Sequence, residues 1–107
     1  MRYLALALLL AAPIAAHATD KPRIAAAKKA VADLMKDPSS VQFRKIRFGT
    51  TDKVVCGEAN SKNSFGAYTG FMPFFVVDDD VTLVKGDGTP GDDMIVHMYS
   101  TFCPTKP

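Results

Sequence analysis

Cys56 and Cys103 constrain this chain more than any other feature. They are its only two cysteines, and they lack the close CxxC spacing of a redox pair. What they can do depends on the compartment, and the opening residues speak to that. Met1-Arg2 supplies a positive start, Tyr3 to Ala12 is apolar throughout, and Pro13 breaks the run. Ala16-His17-Ala18 then has the small-x-small form of a secretory cleavage site. The apolar run is shorter than the roughly 20 residues a spanning helix needs. No cysteine follows the cleavage site to carry a lipid, so the expectation is a signal peptide over 1–18 and a periplasmic or secreted product starting at Thr19. The competing reading is a retained membrane anchor. In an oxidising compartment the two cysteines can pair in only one way within the chain, and a bridge closing that loop stabilises by about 4 kcal/mol in the chain-entropy model.

Such a staple matters for a domain of this size. Removing eighteen residues from 107 leaves 89, a length that buries only about 60–65% of its unfolded surface. Arg2 leaves with the signal peptide, so thirteen basic side chains become twelve against eleven acidic ones. That balance carries no electrostatic footprint for nucleic acid.

The hydrophobic pattern predicts a single α+β domain over 19–107: a four-stranded antiparallel meander, an N-terminal helix and a C-terminal helix. Within Thr19 to Lys36, Ile24, Ala27, Val31, Leu34 and Met35 recur at helical spacing, with Pro22 placed in a first turn. Asp37-Pro38-Ser39-Ser40 ends that helix, and Asp or Ser can cap a fresh turn. Phe43 to Thr50 alternates, Ile46 and Phe48 on one face and Lys45 and Arg47 on the other. After a turn over Gly49 to Asp52, Lys53 to Ala59 forms a second strand. Val54, Cys56 and Glu58 point one way on it, and Val55, Gly57 and Ala59 the other.

Asn60 to Gly70 reads as a loop, and Gly70 to Val77 as an apolar third strand in which Pro73 marks an edge or a bulge. Asp78 to Asp80 turns the chain into a short strand, Val81 to Val84, followed by a Gly/Asp/Pro loop to Gly91. Asp92 to Cys103 fits a helix through Ile95, Met98, Tyr99 and Phe102, with Asp92 or Asp93 as its cap; Val96, Met98 and Ser100 also permit a strand.

Two stretches carry a resemblance. Asp37-Pro38-Ser39-Ser40-Val41-Gln42-Phe43-Arg44 resembles a DPxSxxFR signature, and Val55 to Phe71 resembles VCGxxNxKNxxGxYxGF. Together they are similar to a group of small exported or lipid-anchored bacterial proteins without an assigned activity. The resemblance covers about the middle third of the chain and implies a bacterial envelope protein. This chain lacks the lipobox cysteine of some similar proteins, so a stable membrane anchor is not implied.

Few chemistries fit the residues. His97 is the only histidine outside the expected signal peptide, and no serine motif accompanies it. With the cysteines bridged, zinc has no ligand set. Asp78, Asp79, Asp80, Asp87, Asp92 and Asp93 could hold calcium only if their loops met, and they lack the EF-hand order. The expectation is therefore no metal, no cofactor and no catalytic residue. Glu58, the only glutamate, is the exception to weigh: buried, it becomes a general acid for a small hydrolase, but pairing with Lys62 or a first-strand arginine is the plainer state.

The loop after the second strand has two readings as well. Asn60 and Asn63 can brace its backbone while Gly66 and Gly70 let it turn. Alternatively, Asn60, Lys62, Asn63, Phe65 and Tyr68 form a binding tip for a partner protein, a glycan or a small ligand. Phe71 to Phe75 adds a further option: left bare on one face it predicts a partner or a second copy, and covered on both it is core. The sequence reading favours a non-enzymatic module that binds an envelope or secreted protein, as an inhibitor, immunity or assembly factor does.

Overall fold

The computed structural model describes residues 16–104. Four antiparallel strands lie in sequence order: β1 (Gln42–Phe48), β2 (Val54–Asn60), β3 (Met72–Val77) and β4 (Asp80–Leu83). Helix α1 (Ala16–Ala32) covers one face and helix α2 (Asp92–Phe102) covers part of the other. The α+β meander, both helices and the Cys56–Cys103 disulfide all match the sequence expectation.

Each face has its own core. Ala27 and Val31 of α1 pack with Val55, Ala59, Phe74 and Val76. On the opposite face Val54, Cys56, Phe75, Val84 and Cys103 cluster beneath Ile95, Met98, Tyr99 and Phe102 of α2. β2 follows the alternation the sequence predicts, odd residues toward α1 and even ones toward α2. Gly57 sits where a Cβ would fall 2.5 Å from Ile46 Cδ1 and 2.9 Å from Phe74 Cζ, so only glycine lets those side chains meet over the strand.

β1 departs from simple alternation. Arg44 pairs with Glu58 and Arg47 with Cys56, so two residues of β1 oppose one of β2. Lys45 takes up the extra residue at φ 57°. This bulge puts Phe43, Ile46 and Phe48 together toward α1, and Arg44 and Arg47 together on the other face. Ile46 and Phe48 thus share the α1 face as expected, while Lys45 reaches Glu58 and Arg47 reaches Tyr99 and Cys103 on the other side.

The helix limits also move. α1 begins before Thr19, so Pro22 falls inside it instead of in its first turn, where it supplies no N–H. Its end tightens into i→i−3 bonds from Leu34 to Val31 and from Met35 to Ala32. That tightening turns Leu34 outward, 58% exposed, against the expectation that it joins the buried stripe, while Met35 stays packed. The expected signal peptide lies mostly outside the described residues. No helix among the described residues is long and apolar enough to cross a membrane.

Pro73 lies in an interior strand, opposite Glu58 of β2. Its carbonyl accepts from the Val84 N–H (2.8 Å), beyond the Phe74–Leu83 pair that closes the β3–β4 ladder. In an antiparallel strand a residue's N and C=O point the same way. The missing N–H thus faces the frayed end of β4 and costs no bond to β2. Phe74 is buried under α1 and Phe75 under α2, so the face that would have been bare is covered on both sides.

Candidate functional site

The loop between β2 and β3 is a small hairpin on a braced base. Asn60, only 7% exposed at the end of β2, accepts from the Gly70 N–H through Oδ1 (2.9 Å) and donates through Nδ2 to Gln42 Oε1 (3.4 Å). Lys62 and Tyr68 then form an antiparallel bridge. Inside it Asn63 Oδ1 accepts from the amides of Phe65 (2.8 Å) and Ala67 (3.1 Å), and the Asn63 N–H donates to the Ala67 carbonyl (2.8 Å). An asparagine in this position replaces the backbone partners that the loop lacks. Gly66 and Gly70 take φ of 82° and 113°, as the sequence predicts for this turn.

The hairpin leans on the segment before β1. The Ser40 hydroxyl accepts from the Lys62 N–H (3.1 Å), and the Ser40 carbonyl accepts from the Tyr68 hydroxyl (2.9 Å). Ser40 is free to do so because Pro38–Ser40 forms a 3-10 turn in which its hydroxyl also donates to the Asp37 carbonyl (2.8 Å). Asp37 makes no side-chain cap to that turn. Instead its carboxylate accepts from the Ser39 hydroxyl (3.0 Å). The two stretches singled out in the sequence thus meet as one unit. Gln42 touches Asn60, Ser40 holds both arms of the hairpin, and Arg44 joins Glu58 to Phe71.

Glu58 stands at that last junction. Arg44 Nε donates to its Oε1, Lys45 Nζ lies 3.9 Å from its Oε2, and the Arg44 guanidinium stacks 3.9 Å from the Phe71 ring centroid. Its side chain is 15% exposed. The arginine partner expected from β1 is present, and Lys62 instead sets its ammonium 5.7 Å over the Tyr68 ring. Both carboxylate oxygens are thus directed at cations of β1, the ion-paired state expected for Glu58 with an arginine of the first strand.

Of the five residues proposed for a binding tip, Asn60, Asn63 and Tyr68 therefore build the mount. Lys62 is half-buried on one arm. Phe65 alone has no structural duty, and it is 93% exposed at the tip.

The other candidate residues are dispersed. His97 is exposed on α2, where its carbonyl accepts from the Ser100 hydroxyl (2.8 Å). Asp92 is buried at the start of α2, and its carboxylate accepts from Gly86 and Gly88, both at 3.0 Å. It does not cap α2 as expected; Gly91 is the N-cap, at φ 89°. Asp87 accepts from the Thr89 hydroxyl (2.7 Å) and amide (3.1 Å), and that side-chain bond, with the amide second, lowers its pKa below the ordinary aspartate value. No group of three His, Cys, Asp or Glu side chains among the described residues is arranged to hold a metal ion. An open cleft of about 280 Å³ between α1 and the β3–β4 turn is lined by Arg23, Lys53, Asp78 and Asp79, away from the hairpin.

Sequence reasoning missed three polar anchors: Ser40, Asp92 and Arg47. Arg47 donates to the Cys103 carbonyl (3.0 Å) and to the Tyr99 hydroxyl (3.4 Å), fastening the end of α2 beside the disulfide. All three act across long sequence separations or on backbone groups, which no local pattern reveals. Comparison of the chain with protein-family models, with curated proteins and with solved structures finds no match.

Proposed function

We propose that this is an exported, non-enzymatic bacterial envelope protein that binds another protein through the hairpin between β2 and β3. Phe65 carries the reading. A lone exposed apolar side chain is ordinary on a protein surface. A phenyl ring projecting from a hairpin whose backbone is held by Asn60, Asn63, Ser40 and Tyr68 is a different object, because its mount is ordered before any partner arrives. Such pre-organisation removes part of the ordering cost of association, and aromatic anchors dominate interface energetics. The buried disulfide and the signal-like start support an oxidising compartment.

The test is capture from an envelope extract by the oxidised 19–107 domain and by its Phe65→Ala variant. Tyr68 is left intact, since its hydroxyl holds the hairpin to Ser40. A protein retained by the first and lost by the second is the expected outcome. Equal retention by both removes the hairpin from the interface.

A further inference from the structure

The cleft between α1 and the β3–β4 turn is lined by charges of both signs that do not pair with each other. Arg23 of α1 and Lys53, just before β2, share with Asp78 and Asp79 a space of about 280 Å³. Among the described residues no ion pair joins any two of these four. Arg23 reaches only toward Asp52, at 3.8 Å, too long for a hydrogen bond. Two of the elements nevertheless hold their charges in place. The Arg23 guanidinium rests 5.1 Å over the Phe48 ring, which fixes its direction and leaves its N–H donors unused. Asp78 and Asp79 are the central residues of the tight turn closed by the Val77–Asp80 pair, and Asp78 takes the left-handed φ, 56°, that such turns use. The space exists because α1 presents only Ala26 and Ala27 there, above Val55 and Val76.

From this cleft, independently of the hairpin, we propose that the protein binds a small zwitterion of amino-acid to dipeptide size, its carboxylate held by Arg23 and Lys53 and its ammonium by Asp78 and Asp79. The size follows from the volume, which falls just under the roughly 300 Å³ at which small-molecule sites begin. The charge follows from the lining. A guanidinium matches a carboxylate through two parallel N–H bonds, and an aspartate accepts from an ammonium. A ligand of one sign would be attracted by one pair of side chains and repelled by the other; only a ligand bearing both satisfies all four. The alanine and valine floor takes the aliphatic part of such a molecule out of water.

The test titrates the oxidised, nitrogen-15-labelled protein with L-alanyl-L-alanine and with L-alanine, following the amide resonances. N-acetyl-L-alanine and L-alaninamide, which carry one charge each, are titrated alongside. The expected result is saturable shifts at 23–27, 53–55 and 76–79 with a zwitterion at millimolar concentration, and none at 60–70. Each singly charged compound is expected to bind at least about tenfold more weakly, as for one lost charge-assisted bond. Arg23→Gln and Asp79→Asn are expected to weaken the zwitterion by a similar factor, and Ala26→Leu to abolish binding by filling the space. The analogue series asks the same question without a variant, should one fail to fold. Equal affinity for the singly charged compounds, unchanged affinity in the charge variants, or no saturable shift with either zwitterion overturns the site. None of these residues belongs to the hairpin, so such a failure leaves the protein-binding reading standing.

Discussion

The two longest loops of the described fold are built on the same device and end differently. Asn60 and Asp92 are its two buried polar side chains, 7% and 8% exposed, and each holds a loop by accepting backbone N–H bonds. Asn60 takes one from Gly70 through a neutral amide, whereas Asp92 takes two, from Gly86 and Gly88, through a carboxylate. The second loop has the stronger brace and carries only small or polar side chains and Pro90 at its surface. The first has the weaker brace, reinforced by Asn63 and Ser40, and carries an exposed phenyl ring. Under the proposed binding reading, the bracing of the first loop holds Phe65 in place before a partner arrives, a role the second loop has no exposed apolar side chain to fill.

Breaking the frame that both loops share has the largest expected effect. Replacing Cys56 and Cys103 by serine releases the α2 end and is expected to cost about 4 kcal/mol, measured by urea unfolding. Next comes the brace of the second loop. Asp92→Ala removes two charge-assisted bonds and is expected to cost about 2 kcal/mol, with faster amide exchange confined to Gly86 and Gly88. Asn60→Ala should cost less, about 1 kcal/mol for a neutral bond, with faster exchange at Gly70. If Asn60→Ala proves the costlier of the two, the loops are not braced in the order proposed.

The smallest effect is electrostatic. The Thr89 bonds hold the exposed Asp87 carboxyl below its ordinary pKa, so they favour the folded loop at pH above the ordinary aspartate range. That contribution is lost as pH falls through the lowered value. Thr89→Ala is expected to raise the Asp87 titration midpoint in a carboxyl-carbon NMR titration, without altering the hairpin resonances of 60–70.

What could be read in the sequence was whatever depends on local periodicity. β2 alternates without interruption, so the placement of Cys56 and Glu58 on one face is legible from Val54 onward. The α2 stripe of Ile95, Met98, Tyr99 and Phe102 pointed to a helix but left a strand through Val96, Met98 and Ser100 open, and it is the packing of that stripe on the second core that settles it. The β1 bulge was not legible, because Lys45 is an ordinary strand-edge residue until its φ of 57° is known. The end of α1 was missed for a related reason: the apolar spacing continues to Leu34 although the hydrogen bonding tightens before it. At the site, asparagine and glycine announced a braced turn. That Phe65 alone escapes the bracing depends on Ser40, more than twenty residues away in sequence.

Affinity measures the difference between the two loop surfaces most directly. Partner binding should be titrated with the native domain, with Phe65→Ala and with Pro90→Ala, each checked for unchanged thermal stability. Phe65→Ala is expected to weaken Kd at least tenfold, as for an aromatic anchor worth more than about 1.4 kcal/mol, and Pro90→Ala to leave it unchanged. Equal affinities for all three, or a larger loss at Pro90, would contradict binding through the hairpin.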